Sequence, residues 1–186
     1  MPALPFDDSP LPYVDALAAR DPGGIDSIVL HCTELPDLAS ARGYGERILY
    51  PSGTGNSGHW YVDRDGSLHR WVDEARIAHH CRGWNARAIG IELVNSGRWP
   101  HWLHAAHQAM DEPYPEPQVA ALIALLQDLR RRFPAIVQLA GHEDLDPEEV
   151  PAEDDPRMRV RRKRDPGPMF PWARVLEALP LARVRG

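Results

Sequence analysis

Two histidines and one aspartate stand in sequence contexts that could hold a metal ion. His31 ends an apolar run at residues 28–30, and His142 follows a second apolar run after a glycine. Asp165 lies directly before Pro166-Gly167-Pro168, where the fixed φ of proline lowers the entropy cost of holding a carboxylate. Two imidazoles and one carboxylate are typical of an open zinc site, which leaves a fourth position for water. These residues therefore predict a zinc centre made of His31, His142 and Asp165.

Hydrolysis of an amide at such a centre needs a proton acceptor and a cation. Glu92 lies inside the strand-like run 88–94, where a carboxylate is costly unless it is paired or functional. We expect Glu92 to take a proton from water and pass it to the leaving amine. Lys163 precedes Asp165 by two residues and would face the same side of an extended segment. Its ammonium is predicted to stabilise the oxyanion.

Each of these residues also has a structural interpretation. A histidine at a strand end is more often a hydrogen-bonded edge residue than a metal ligand. Cys32 beside His31 suggests one alternative, a cysteine hydrolase that uses a Cys–His pair. Adjacent strand residues point to opposite faces, however, so we expect Cys32 to be a buried thiol outside the pocket of His31.

The elements that must position these residues are strands alternating with helices. A buried strand is predicted at 27–33 and others at 88–94 and 136–140. A hairpin is expected at 59–74, with Asp65-Gly66 as a two-residue type I′ turn. The remaining segments are predicted as helices at 38–49, 118–132 and 172–179 and as a long loop at 143–164. The pattern predicts an α/β domain with a mixed sheet, at 25–186, preceded by an N-terminal arm at 1–24.

Composition narrows the class of protein. The 186 residues carry a net charge of -6. This charge argues against a nucleic-acid-binding protein that works by neutralising many phosphates. No apolar stretch approaches the ~20 residues of a membrane span, so no membrane partner is expected. The first residues lack a basic start and an apolar segment, which favours a cytoplasmic protein, with release as a lytic enzyme left open. With only two cysteines, the chain has no disulfide framework. We also expect the protein to be a monomer.

Five ordered motifs carry a family resemblance. They are IVLHCTE, SGHWYVDRDG, AIGIELVN, AGHEDLDP and KRDPGP. In this order they resemble the zinc-dependent N-acetylmuramoyl-L-alanine amidases of the second amidase family, over residues 25–179. That family shares its fold with peptidoglycan recognition proteins. The resemblance implies a central mixed β-sheet flanked by α-helices, with the substrate groove above the zinc ion.

The resemblance also implies a substrate and roles for named residues. It implies cleavage of the bond between N-acetylmuramic acid and L-alanine in peptidoglycan or muropeptides, in cell-wall recycling or in phage-type lysis. Zinc would bind His31, His142 and Asp165, and Glu92 and Lys163 would be catalytic. The long segment between His142 and Asp165 departs from many relatives, which bring these two ligands closer in sequence. A non-catalytic peptidoglycan-binding module is the alternative class, which predicts a missing ligand.

Other polar and aromatic residues are candidates for the walls of the groove. The resemblance favours His80 as a substrate contact, although a buried hydrogen-bonded histidine is an equal interpretation. Trp84 and Asn85, just ahead of the strand of Glu92, could form a wall, or simply close a loop. We expect His59 to be structural. A second metal at the three histidines 101, 104 and 107 is less favoured than a solvent-exposed surface segment.

Overall fold

A mixed sheet carries the fold, and its strands alternate with helices along the chain. The computed structural model describes residues 4–185. Within this range the strands are β1 (Asp7–Asp8), β2 (Ser27–Cys32), β3 (Trp60–Val62), β4 (Leu68–Arg70), β5 (Ala88–Leu93), β6 (Gln138–Gly141), β7 (Glu149–Pro151), β8 (Arg159–Arg161) and β9 (Ala182–Arg183). The α-helices are α1 (Leu38–Gly45), α2 (Glu116–Arg132), α3 (His142–Leu145) and α4 (Trp172–Glu177).

The order of the seven strands in the main sheet is β1-β4-β3-β5-β2-β6-β9. Strand β2 lies at the centre and runs parallel to both β5 and β6. Leu30 is opposite Gly141 of β6, and His31 is opposite Glu92 of β5. Because the carboxyl ends of parallel strands share one edge of the sheet, this register brings three of the predicted site residues to the same place.

Helix α2 covers the sheet with an apolar stripe. Its side chains Leu122, Leu125, Leu126 and Leu129 are fully buried in the same cluster as the apolar residues of β2 and β5. Full burial of a leucine side chain contributes about 1.5–3 kcal/mol, so this stripe fixes the helix to the sheet. The predicted helix 118–132 is confirmed and begins two residues earlier.

Three local predictions need correction. The loop between β3 and β4 has five residues, and only Gly66, at φ 89°, has a positive φ there. A type I′ turn needs two such residues, so that prediction was wrong. The predicted loop 143–164 contains part of α3 and the antiparallel hairpin β7–β8. The helices predicted at 38–49 and 172–179 are shorter, ending at Gly45 and Glu177.

The described part of the N-terminal arm packs on the edge of the domain. Leu11, Tyr13 and Leu17 are buried in a second apolar cluster together with Trp71. The Tyr13 hydroxyl donates a hydrogen bond of 2.6 Å to the carbonyl of Gly45. Among residues 4–185, no helix has the length and apolar character needed to cross a bilayer. The α/β class with a central mixed sheet is confirmed.

Candidate metal and catalytic site

The two histidines and the aspartate predicted as ligands meet at the carboxyl edge of the sheet. His31 Nδ1 lies 2.8 Å from Asp165 Oδ2, and His142 Nδ1 lies 3.1 Å from the same oxygen. One possible ligand atom from each residue lies within 4.8 Å of the other two. All three residues are buried, with at most 3% of their surface exposed. The structure therefore brings together residues separated by up to 134 positions in sequence.

Each of the three residues is positioned by a different element. His31 is the penultimate residue of β2, and His142 is the first residue of α3, directly after β6. Asp165 lies in the segment after β8, where its carbonyl accepts a hydrogen bond of 2.9 Å from the amide of Glu143. That bond joins the aspartate segment to α3, so the main chain as well as the side chains holds the cluster.

The cluster has the properties of a divalent-metal site. Asp165 Oδ1 and His142 Nε2 are buried and have no hydrogen-bond partner within the described chain, which is costly for a purely structural cluster. Burial lowers the pKa of His31 to about 4, which favours the neutral imidazole that a metal requires. Burial alone would raise the pKa of Asp165, but His142 and His31 hold it well below its usual range. The donor set fits a divalent metal such as zinc.

Glu92 and Lys163 lie beside this cluster. Both line one cavity of about 610 Å³, together with His31, His142 and Asp165. Burial, with a contribution from the charge of Asp165, raises the pKa of Glu92 well above its usual range. The charge of Lys163 acts in the opposite direction on the same carboxyl. A carboxyl with a raised pKa in a cleft is suited to proton transfer, although its role here stays a prediction.

His80 lies behind His31 in this cleft. Its Nδ1 is 3.1 Å from His31 Nε2, the ring nitrogen that does not contact Asp165. The imidazole crosses β5 at Gly90, where a Cβ would lie 2.5 Å from His80 Cγ. Only glycine at position 90 leaves room for this arrangement. His80 also lines the cavity, so its role as a substrate contact stays a prediction.

The two predicted wall residues have different positions. Asn85 lines the cavity, and its Oδ1 accepts hydrogen bonds from the amides of His80 and Cys81, at 3.0 and 2.7 Å. These two bonds close the loop at residues 80–85, which agrees with the structural interpretation of Asn85. Trp84 is not among the residues that line this cavity and packs instead on Val29 and Ala88. The structure gives no support to the predicted wall role of Trp84.

Several residues of the cavity wall have no signal in the sequence. An aromatic rim is formed by Tyr44 at the end of α1 and Tyr50 in the loop that follows, with His79 in T-shaped contact with Tyr50. The guanidinium group of Arg82 lies elsewhere along the wall. Apart from Tyr44, these residues come from loops, where neither periodicity nor motif spacing indicates which side chains face inward.

The cysteine-hydrolase interpretation is not favoured. Cys32 is among the residues lining the cavity, contrary to the prediction from strand alternation. Burial, however, raises the pKa of the Cys32 thiol well above its usual value, and that of Cys81 to about 12. Because the thiolate is the nucleophile, neither cysteine is activated for attack at neutral pH.

The remaining histidines lie outside the cluster. His59 is fully buried, and its Nδ1 accepts a hydrogen bond of 3.0 Å from the amide of Gly90, as expected for a structural residue. The rings of His101 and His104 stack with centroids 4.4 Å apart. Across residues 4–185, the only group of three or more ligand residues with metal-binding spacing is the one at His31.

Comparison with known proteins identifies relatives of this chain. Residues 20–168 match the family Amidase_2, described as N-acetylmuramoyl-L-alanine amidase. The 1,6-anhydro-N-acetylmuramyl-L-alanine amidase AmpD of Enterobacter cloacae is 40% identical over 122 residues, which cover 61% of this chain and 51% of that protein. The N-acetylmuramoyl-L-alanine amidase AmiD of Escherichia coli (strain K12) is 34% identical over 93 residues, covering 50% and 28% respectively. The chain thus spans about half or less of these relatives.

Two solved structures have folds similar to that of this chain. One is the complex of E. coli AmiD with anhydro-N-acetylmuramic acid-L-Ala-D-gamma-Glu-L-Lys, at a TM-score of 0.61 and 25% identity, covering 87% of this chain and 59% of that chain. The other is the ectodomain complex of peptidoglycan recognition proteins LCa and LCx with tracheal cytotoxin. Its TM-score is 0.56 at 20% identity, covering 76% and 83%, which supports the fold alone.

Proposed function

The chain belongs to the N-acetylmuramoyl-L-alanine amidase family, and we propose that it hydrolyses the amide between N-acetylmuramic acid and L-alanine in peptidoglycan fragments. The observation that carries this proposal is the buried convergence of His31, His142 and Asp165 beside Glu92 and Lys163. A binding module without catalysis would not need a carboxyl of raised pKa next to a metal-ligand cluster.

We propose zinc as the metal held by His31, His142 and Asp165. The neutral state of His31 and the ionised state of Asp165 are the forms that bind a divalent cation. When bound, zinc supplies Lewis acidity, which makes a water molecule acidic near neutral pH and polarises the amide carbonyl. The contact from His80 Nδ1 to His31 Nε2 holds the ring so that Nδ1 faces the cluster.

Glu92 is the proposed proton carrier. Its raised pKa lets the carboxylate accept a proton from the attacking water and then donate that proton to the amine of L-alanine as the amide bond breaks. Lys163, on the same cavity wall, is the proposed cation for the oxyanion of the tetrahedral intermediate. The side chains of Glu92 and Lys163 together thus provide proton transfer and charge stabilisation.

Recycling of muropeptides is the biological role that we propose. It is supported by the 40% identity with an amidase whose name specifies 1,6-anhydro muramyl substrates. A cytoplasmic location would agree with that role. Lysis is the second role, supported by 27% identity over 96 residues with the endolysin of Enterobacteria phage K11. The two roles predict different substrates, namely soluble anhydromuropeptides and intact sacculi.

The test is a comparison of substrates with the purified zinc-loaded protein. Anhydromuramyl-tripeptide and intact sacculi are incubated separately, and the released stem peptide or free amino termini are measured by mass spectrometry. Release from the soluble substrate supports recycling, and release from sacculi alone supports lysis. Binding of both substrates without release of peptide would contradict the amidase proposal and favour a binding module.

A further inference from the structure

A buried ion pair outside the metal cluster joins two loops that border the site. Arg98 is 1% exposed and Glu34 is 7% exposed. Arg98 Nε lies 2.7 Å from Glu34 Oε1, and Arg98 Nη2 lies 2.8 Å from Glu34 Oε2, which is a two-point contact. The amide of Arg98 also donates to Glu34 Oε1 at 3.1 Å. Such geometry is stronger and more directional than a single charge contact.

The same guanidinium also holds the chain that leads to Lys163. Its Nη1 donates to the carbonyl of Arg161 at 2.8 Å and to Gln108 Oε1 at 3.4 Å. Its Nη2 also donates to the carbonyl of Arg162, at 3.3 Å. With the two bonds to Glu34, each of the five N–H groups of arginine has an acceptor. No other side chain could supply this planar set of donors.

The backbone around the pair is held in an unusual conformation. Glu34 has φ 49°, the only positive φ of a residue other than glycine among residues 4–185. Gly97, at φ 50°, lies so close that a Cβ there would be 2.6 Å from Glu34 Cγ. The indole of Trp102 donates to the carbonyl of Glu34 at 3.0 Å. Strain of this kind persists only where surrounding contacts over-determine it, and it concentrates at functional sites.

The connections place this pair between two parts of the site. Glu34 follows His31 by three residues and lies two residues beyond the end of β2, and Arg162 directly precedes Lys163. We infer that Glu34 and Arg98 form a positioning unit, which sets Lys163 and Asp165 against His31. Glu34 borders the cavity, whereas Arg98 is not among the residues that line it and acts through its bonds to Glu34, Arg161 and Arg162. This inference rests on the proposed function, since it assigns the pair to the geometry of the same site.

The test compares Arg98→Lys with a matched control, Arg64→Lys. Arg64 pairs with Glu112 Oε1 at 2.6 Å and donates to the carbonyl of Pro36 at 2.8 Å and to Ser96 Oγ at 3.4 Å. It thus joins the same two loops but has no hydrogen bond to Arg161 or Arg162. Both variants keep the charge and lose the planar fork.

For Arg98→Lys we expect zinc affinity and kcat each to fall by about 10–100-fold. This is the effect typical of residues that orient metal ligands without binding the metal themselves. KM should change less than kcat, because Arg98 is not among the residues that line the cavity. Arg64→Lys should keep the zinc affinity and kcat of the wild type. Zinc affinity is measured by competition with a chromogenic chelator, which requires no activity.

Hydrogen exchange of the metal-free proteins separates positioning from general destabilisation. In Arg98→Lys, exchange should accelerate at the amides of Arg162 and Glu143, which bond the carbonyls of Glu148 and Asp165. The amides of β2 and β5 should remain protected. If Arg98→Lys does not fold, Glu34→Gln, which keeps the shape and weakens the pair, takes its place with the same expectations.

Unchanged zinc affinity and unchanged local exchange in the folded variant would overturn the inference, as would equal effects in Arg64→Lys. A wild-type protein that binds zinc but does not cleave muropeptides would overturn the proposed function instead. The zinc and exchange measurements would still decide the role of the pair in that case.

Discussion

The two ends of the central strands carry polar groups in different states. At the amino end of β2, Asp26 forms an ion pair with Arg87, in which Arg87 Nε lies 2.8 Å from Asp26 Oδ1. Ser27 Oγ donates to the same carboxylate, and Gln138 Nε2 donates to Ser27 Oγ at 2.7 Å. Asp26 and Arg87 are partly exposed, at 32% and 46% of their side chains. This end is a hydrogen-bonded network at the surface.

At the carboxyl end of the same strands, the three ligand residues are buried and incompletely paired, and Glu92 beside them is half-buried. Asp165 Oδ1 and His142 Nε2 have no hydrogen-bond partner in the part of the chain that the structure describes. The pKa of Glu92 is raised well above its usual range, whereas that of Asp26 is lowered by its hydrogen bond to Arg87. A charge at a strand end is therefore not itself a functional signal. Burial without full pairing is the signal.

The largest expected effect comes from Asp165→Ala. Removal of one of three ligands should abolish stoichiometric zinc binding and reduce hydrolysis to background, as should exhaustive chelation of the wild type. Zinc content is measured by elemental mass spectrometry after dialysis, and hydrolysis with anhydromuramyl-tripeptide. Asp26→Asn, at the other end of the strands, is the matched control and should keep both. A fully zinc-loaded and active Asp165→Ala protein would contradict the site.

Glu92→Gln should have the next largest effect. The amide keeps the shape of the side chain but cannot accept the proton, so kcat should fall by about 10²–10⁴-fold. Zinc affinity should stay within a small factor of the wild-type value, because Glu92 is not a proposed ligand. Calorimetric titration with zinc and single-turnover hydrolysis measure the two quantities. A variant with wild-type kcat would exclude Glu92 as the proton carrier.

Lys163→Met should reduce kcat by about 10²–10³-fold through loss of oxyanion stabilisation. It should also change the pH profile, because the charge of Lys163 lowers the pKa of Glu92. Without that charge the pKa of Glu92 rises, and the acidic limb of kcat/KM should move to higher pH. A profile measured from pH 4 to 9 tests this shift. An unmoved limb, or one moved to lower pH, would argue against coupling between the two groups.

The smallest effect is expected for Asp26→Asn. An exposed ion pair contributes about 0.2–1 kcal/mol to the free energy of unfolding at neutral pH. Because the pKa of Asp26 is lowered in the folded state, its contribution is present above about pH 4 and is lost as the pH falls through the folded pKa. Urea unfolding of both proteins at pH 7 and at acid pH measures this difference. Hydrolysis should be unchanged, and reduced activity would show that this end also affects the site.

Sequence patterns predicted much of the fold and the metal cluster. Apolar runs located β2, β5 and α2, and His31, His142 and Asp165 were predicted to converge on one metal ion. The five-residue connection around Gly66 was missed because its conformation depends on α2, whose Pro117 carbonyl would lie 2.8 Å from a Cβ at Gly66. The hairpin β7–β8 was missed because its three-residue strands are too short for a recognisable alternation.

Residue types and apolar runs are enough to show which side chains are available for chemistry and that His31, Glu92 and His142 lie on or next to strands. Tertiary structure decided which of them are buried together, since pKa and unpaired hydrogen-bonding capacity depend on neighbours far away in the chain. Glu34 and Arg98, 64 residues apart, have no shared pattern, yet their contact links His31 to the segment of Lys163. Local periodicity cannot encode such contacts, because they arise only when separate loops fold against one another.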